Sequence, residues 1–315
     1  MIFLYNLFLF FFLSLSSPYL LARLIATKRY RIGLRERLGH LPLEILRSFA
    51  GKRPIWVHAV SAGELMAARP LLEALQKNYS SPILLSTTTE VGYRIAKKSF
   101  FRIPTVFFPF DFPLIIKSFI CSVRPKIFIA IESEIWPNLL SILKKKKIPA
   151  VLINGRLSER SYSNYRRLGP FSRGLFSGLT RLGMRTSTES ERIIRLGAKR
   201  ERVFVTGSLK YDAAFSLRER IEPEQIRETL AIKKDSSIIV FGSLHPEEEE
   251  GIIQHCAQLR DSALLIFAPR HPERSNLPTF LKRKDLKYIL WSKEGERLDR
   301  EKIVILDTMG ELPLF

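Results

Sequence analysis

The chain has 315 residues, 46% hydrophobic and 26% charged, enough to build one or two buried cores; such a composition excludes a disordered segment or a repeat array. The formal charge of +20 is uneven: residues 1–206 carry 34 Lys and Arg against 12 Asp and Glu, whereas residues 207–315 carry 17 against 19. The basic part therefore faces something anionic, whether nucleic acid, a membrane surface or an acidic substrate.

In chain order the first element is an almost wholly apolar run, residues 2–21, followed by Arg23, Lys28, Arg29, Arg31, Arg35 and Arg37. About twenty residues suffice to cross a bilayer core as a helix. A buried core helix and a cleaved signal peptide are the competing readings. No basic residue precedes the run and no small-x-small site follows it, which disfavours the signal peptide, so residues 1–22 read as a membrane anchor. The trailing cations put the rest of the chain on the cytoplasmic side of the membrane and attract anionic lipid. Two cysteines far apart in sequence, Cys121 and Cys256, suit a reducing compartment.

From residue 54 short apolar runs alternate with helical periods. IWVHAV (55–60), PILLSTTT (82–89), TVFFPF (105–110), KIFIAI (126–131) and PAVLIN (149–154) read as buried strands. One helix carries Leu65, Ala68, Leu72 and Leu75, and others are expected around 91–98, 114–122 and 139–147. This alternation predicts a parallel sheet with helices on both faces, in a domain over residues 23–206. After GSLKYD a second alternation runs over 207–315: a helix near 223–231, strand IIVFG, helix 246–259, strand ALLIFA, a helix after Pro272, then strands YILW and IVIL. The expected fold is α/β, two Rossmann-like domains facing a cleft, with ligands outside the carboxyl ends of the strands.

The stretch HAVSAGEL (58–65) turns at Ser61 and Gly63 and puts Glu64 at a helix mouth. An acid there complements the helix dipole; equally, a carboxylate at the carboxyl edge of a sheet can take a proton from a hydroxyl. A second acidic pair, Glu132 and Glu134, follows a strand, and alternation would aim both the same way. It reads either as helix-start acidity or as a charge pair beside Glu64. Lys210, Arg270, His271 and His245 stand at loop positions suited to an anionic ligand, each weak alone. HExxH, CxxC, Walker and GxGxxG motifs are absent, which speaks against zinc hydrolases, nucleotide triphosphatases and nicotinamide enzymes and does not support metal use. Arg156, Arg160, Arg166, Arg167 and Arg173 are interleaved with Tyr162 and Tyr165, behind Lys144 to Lys147. Such a mixture fits nucleic acid or a phosphorylated, membrane-embedded acceptor, and the apolar N-terminus favours the acceptor.

The motifs YRIGLRERLGHLP, WVHAVSAGE, STTTEVGYRIA, FPFDFP, RPKIFIAIESEIWPNLL, INGRLSERSYSNYRRLG, VTGSLKYD, APRHPER and DTMGEL resemble, in this order, those of the Kdo transferases, membrane-associated enzymes that move 3-deoxy-manno-octulosonic acid (Kdo) onto a lipid A precursor. The resemblance implies a GT-B type glycosyltransferase with CMP-Kdo as donor and a lipid A precursor as acceptor. It further implies inversion at the sugar and no metal or cofactor. Glu64 would then deprotonate the acceptor hydroxyl with support from Glu132 and Glu134. Ser61, Gly63 and Arg156 would contact substrate, and Lys210, Arg270 and His271 would hold the phosphate and donor carboxylate. Nucleic acid is not an expected partner. Family members continue past DTMGEL through a glycine-rich segment and an Asn/Glu-bearing helix start, whereas this chain ends at GELPLF. The expectation is an incomplete second domain and a chain weak or inactive alone; the alternative is a non-catalytic remnant that binds anionic lipid through its basic half.

Overall fold

A computed structural model describes residues 2–27, 31–49, 51–218, 237–292, 303–308 and 312. The helix expected near 223–231 lies outside the described residues, as do Met309, Gly310 and Glu311 of DTMGEL. The chain forms two compact units, Met1–Ala213 and Ala214–Phe315.

The first unit begins with helices α1 (Ile2–Ala26), α2 (Leu34–Arg37) and α3 (Leu43–Ser48). Strand β1 (Ile55–His58) and helices α4 (Ala62–Ala67) and α5 (Arg69–Asn78) come next, then β2 (Ile83–Thr87), α6 (Glu90–Ser99), β3 (Thr105–Phe107), α7 (Pro113–Val123) and β4 (Ile127–Ile131). The unit continues through α8 (Pro137–Lys145), β5 (Ala150–Gly155), α9 (Glu159–Arg167), α10 (Pro170–Ser177), β6 (Arg181–Met184), α11 (Ser187–Arg195) and β7 (Val203–Val205), and the boundary falls within α12 (Leu209–Arg218). The seven strands are parallel in the order β3-β2-β1-β4-β5-β6-β7. Strand order reverses between β1 and β4, so the carboxyl ends of those two strands form the switch point where such sheets take ligands.

Both faces of this sheet are covered, which is why its strands read as unbroken apolar runs. Trp56, Leu84 and Phe128 face one core, and Val57, Leu85 and Ile129 face the other. Trp56 is fully buried, its ring 4.6 Å from Phe128 and 4.7 Å from Phe119, and its indole N–H donates to Ser86 Oγ at 2.7 Å. The single helix expected over Leu65 to Leu75 is two helices. Pro70, in the first turn of α5, has no N–H to continue the α4 ladder, and the chain restarts at Ala68.

The second unit holds β8 (Ser237–Leu244), α13 (Pro246–Cys256), β9 (Ala263–Pro269), α14 (Leu277–Arg283), β10 (Ile289–Leu290) and β11 (Ile303–Ile305). Its sheet is also parallel, ordered β10-β11-β9-β8, with Leu265 and Phe267 on one covered face and Leu264 and Ile266 on the other. The fold is α/β, with an apolar N-terminal helix and two Rossmann-like units.

Candidate functional site

The switch point is built from two corners. After β1 the chain turns at Val60, whose carbonyl accepts from the Thr88 and Thr89 amides at 3.3 and 3.2 Å and from the Thr87 hydroxyl at 2.8 Å. Ser61 caps α4: its Oγ accepts from the Glu64 amide at 3.4 Å and sits 3.3 Å from Glu64 Oε1. The Glu64 carboxylate reaches back, Oε2 accepting the Val60 N–H at 2.7 Å. The corner is therefore a reciprocal cap as well as an acidic site, and both readings of Glu64 describe the same geometry. Burial, opposed by the Val60 amide and reinforced by the charges of Glu132 and Glu134, pushes the Glu64 carboxyl up to about 7.

The second corner follows β4. Glu132 sits in the left-handed region at φ 67°, and its Oε1 lies 3.4 Å from Asn154 Nδ2. The indole N–H of Trp136 donates to Glu134 Oε2 at 2.8 Å. Strand alternation does not set the directions of these carboxylates, because the backbone leaves the strand after Ile131 and Glu132 stands in a left-handed turn. Three carboxylates thus share one electrostatic neighbourhood at the ends of β1 and β4.

Several residues of this neighbourhood carried no functional reading in the sequence. His58, the last residue of β1, is fully buried, stacks on Phe108 with centroids 3.9 Å apart, and points Nε2 at Glu134 Oε2, 3.5 Å away. Among the described residues this Nε2 has no hydrogen-bond partner. Asn154 is buried and joins two loops, donating toward Glu132 while its Oδ1 accepts the Leu209 amide at 3.2 Å. Tyr165 is raised by burial and by the charge of Glu134. The signal was available in WVHAVSAGE and INGRLSER, where a polar residue interrupts a buried apolar run.

The other expected contacts fall in two places. Gly63 is exposed, and Ser61, Gly63, Thr89 and Arg94 line a groove between the starts of α4 and α6. Arg156 is exposed, with its carbonyl accepting the Ser133 hydroxyl at 2.6 Å, and Lys210 is exposed in the first turn of α12, one residue after the Asn154-bound Leu209. Arg270 and His271 belong to the second unit. There the Arg270 amide bonds the Leu244 carbonyl at 2.8 Å and its guanidinium lies 3.4 Å from His245 Nε2, at the carboxyl ends of β8 and β9. His271 Nδ1 is 3.6 Å from Glu273. Among the described residues no group of three or more His, Cys, Asp or Glu side chains is arranged to hold a metal ion.

The profile described as 3-deoxy-D-manno-octulosonic-acid transferase (kdotransferase) matches residues 33–213, a span that contains Glu64, Glu132, Glu134, Arg156 and Lys210. A 3-deoxy-D-manno-octulosonic acid transferase of Chlamydophila psittaci is 30% identical over 98% of this chain and 71% of its own length, and one of Haemophilus influenzae is 32% identical over 92% and 68%. A bifunctional glycosyltransferase/methyltransferase of Fusobacterium nucleatum is 29% identical over 93% of this chain, which spans 47% of that protein. Among solved structures, UDP-GlcNAc 2-epimerases of Neisseria meningitidis and Methanocaldococcus jannaschii cover 82% of this chain and 73% and 74% of their own. Their TM-scores are 0.55 and 0.54 at 14% and 16% identity, a likeness of fold alone. On the family match and the two relatives of 30% identity or more, this chain belongs to the 3-deoxy-D-manno-octulosonic-acid transferase family.

Proposed function

We propose that the protein is a membrane-associated glycosyltransferase of lipopolysaccharide synthesis that moves Kdo from CMP-Kdo to a lipid A precursor, with inversion and without a metal ion. The observation that supports this most is Glu64, a half-buried carboxylate raised to about 7 and fixed by Val60 and Ser61 at the switch point. A base matched to neutral pH is what removal of a hydroxyl proton requires. In the proposed step Glu64 takes the proton as the acceptor oxygen attacks the anomeric carbon of Kdo from the face opposite the leaving group. The bond to the phosphate oxygen breaks, and CMP departs with the electron pair. Lys210, Arg270 and His271 offset the charge that develops on the phosphate and hold the donor carboxylate. Glu132 and Glu134 keep Glu64 basic, and Ser61, Gly63 and Arg156 bound the space for substrate.

Incubating the purified 315-residue chain with CMP-Kdo and a lipid A precursor in detergent tests the reading, with the product weighed by mass spectrometry. A Kdo-bearing lipid supports it and refutes the expectation of a weak or inactive chain; CMP binding without product fits a transferase that is weak on its own, and neither product nor CMP binding would overturn the reading. The basic first 206 residues favour a second reading, a non-catalytic lipid-binding protein. CMP titration separates the two, since only the transferase binds the nucleotide.

A further inference from the structure

His58 is a buried base to which the transfer step assigns no task. It closes β1, paired with Ser86 of β2 and Ala130 of β4, two residues before Val60, whose amide holds Glu64. Its ring is fully buried, and among the described residues Nε2 makes no hydrogen bond, although it faces Glu134 Oε2 at 3.5 Å. That gap is long for a hydrogen bond. A ring kept to fill a core needs no polar atom aimed at a carboxylate, and an unmatched buried donor is costly.

The surroundings of Nδ1 decide which ring nitrogen carries the hydrogen. Nδ1 lies 3.0 Å from Ser86 Oγ and 3.1 Å from the Ser86 carbonyl oxygen. That carbonyl already accepts the Ala59 amide at 3.0 Å. Ser86 Oγ accepts the Trp56 indole N–H at 2.7 Å and has its own hydrogen to give, either to Nδ1 or to the Val57 carbonyl at 3.4 Å. Given to Nδ1, the nearer of the two, it leaves the ring hydrogen on Nε2, facing the carboxylate. The opposite tautomer would set an Nε2 lone pair against a Glu134 oxygen and leave Ser86 with the longer bond.

Glu134 has a second donor on the same oxygen, the Trp136 indole N–H at 2.8 Å. Phe108 supports both donors, its ring centroid 3.9 Å from that of His58 and 5.4 Å from that of Trp136. His58 leads into the corner that holds Glu64, and Glu134 belongs to the corner after β4, so the contact ties the two corners together. The charge of Glu134 acts on Glu64, which makes the place of Glu134 matter to the base.

We propose that His58 is a positioning residue of the transfer site: with its hydrogen on Nε2, set there by Ser86, it holds the Glu134 carboxylate in place beside the Glu64 corner. The proposal deepens the transferase reading above and rests on it.

Two substitutions separate this role from core filling. His58→Phe keeps a ring against Phe108 but has no N–H to give, whereas in His58→Gln the side-chain amide can reach the place of Nε2. In the Kdo transfer assay His58→Phe should lose about 10–100-fold in kcat, as for one hydrogen bond to a charged group, with CMP affinity unchanged. His58→Gln should recover part of that loss. In a Glu134→Gln background His58→Phe should cost little more, because it acts through a charge already removed. Equal losses in both backgrounds, or full transfer by His58→Phe, would reduce His58 to packing. Nitrogen-15 NMR of the histidine-labelled full chain in detergent at pH 8, with His58 assigned by its loss in His58→Gln, reads the tautomer without turnover. The expected spectrum is that of an Nε2–H ring whose resonance moves in Glu134→Gln. An Nδ1–H ring, a doubly protonated ring, or a resonance indifferent to Glu134→Gln would overturn the proposal. A chain that neither transfers Kdo nor binds CMP would count against the transferase reading, a different result from a wrong tautomer.

Discussion

Glu64 is held by opposing influences. The Val60 amide and Ser61 hydroxyl stabilise its ionised form, while burial and two neighbouring carboxylates disfavour it, and the balance lies with burial. A carboxyl raised from its ordinary 4.5 to about 7 is fully basic only above that pH, so transfer should rise through an acid limb near 7 and fall away below it. Glu132→Gln removes one like charge, which makes the Glu64 anion easier to form. Its acid limb should therefore move to lower pH, as read from kcat/KM between pH 5 and 9, whereas a limb that stays put would detach Glu132 from Glu64. That an acid stood at this corner was plain in VSAGE. That His58 and Asn154 steady the neighbouring carboxylates was not, since each depends on partners 22 or more residues away in sequence: Ser86 and Glu134 for His58, Glu132 and Leu209 for Asn154.

At the scale of elements, the strands that line the switch point were legible because both faces of the sheet are buried and the runs are therefore unbroken. The turn after β4 was not, because a left-handed Glu132 leaves no trace in a hydrophobic pattern. Strands β6 and β7 are short, and Gly183 interrupts the first, so neither gave a period to read. Two glycines separate local from functional demand. Gly33 has φ 68°, and a Cβ there would fall 1.9 Å from the Phe107 ring, whereas at Gly63 the nearest atom is Ser61 Oγ at 4.0 Å. Gly33→Ala should cost about 1–2 kcal/mol from backbone strain alone, more with the displaced ring. Gly63→Ala should leave stability within about 0.5 kcal/mol yet lower transfer, because only a substrate would meet the new methyl group. Urea unfolding beside the transfer assay checks both; normal turnover by Gly63→Ala would move the substrate elsewhere.

For the molecule as a whole, the charge imbalance points to the first 206 residues as the part to examine for an anionic partner, but it does not say where the cations gather. The structure sets Lys144 to Lys147 at and just past the end of α8, with Lys144 in the groove that Ile2 of the apolar helix also lines. Replacing all four with Gln should weaken binding to anionic vesicles by about 1 kcal/mol per charge and leave binding to neutral vesicles little changed. Flotation with vesicles of the two compositions measures this, and equal losses on both would argue against a headgroup role. The contacts of α1 with the rest of the first unit were hidden from any local reading, since Tyr5 and Asn6 meet partners more than a hundred residues away.

The central claim is that Glu64 is the base, and the most direct measurement compares Glu64→Gln with the unaltered chain for both CMP binding and Kdo transfer at pH 8. Gln keeps an oxygen to accept the Val60 amide, and it removes a charge that burial disfavours above pH 7, so the variant should unfold at no lower temperature. The expected result is unchanged CMP affinity with transfer reduced about 10²–10⁴-fold. Transfer by Glu64→Gln at close to the rate of the unaltered chain would contradict it.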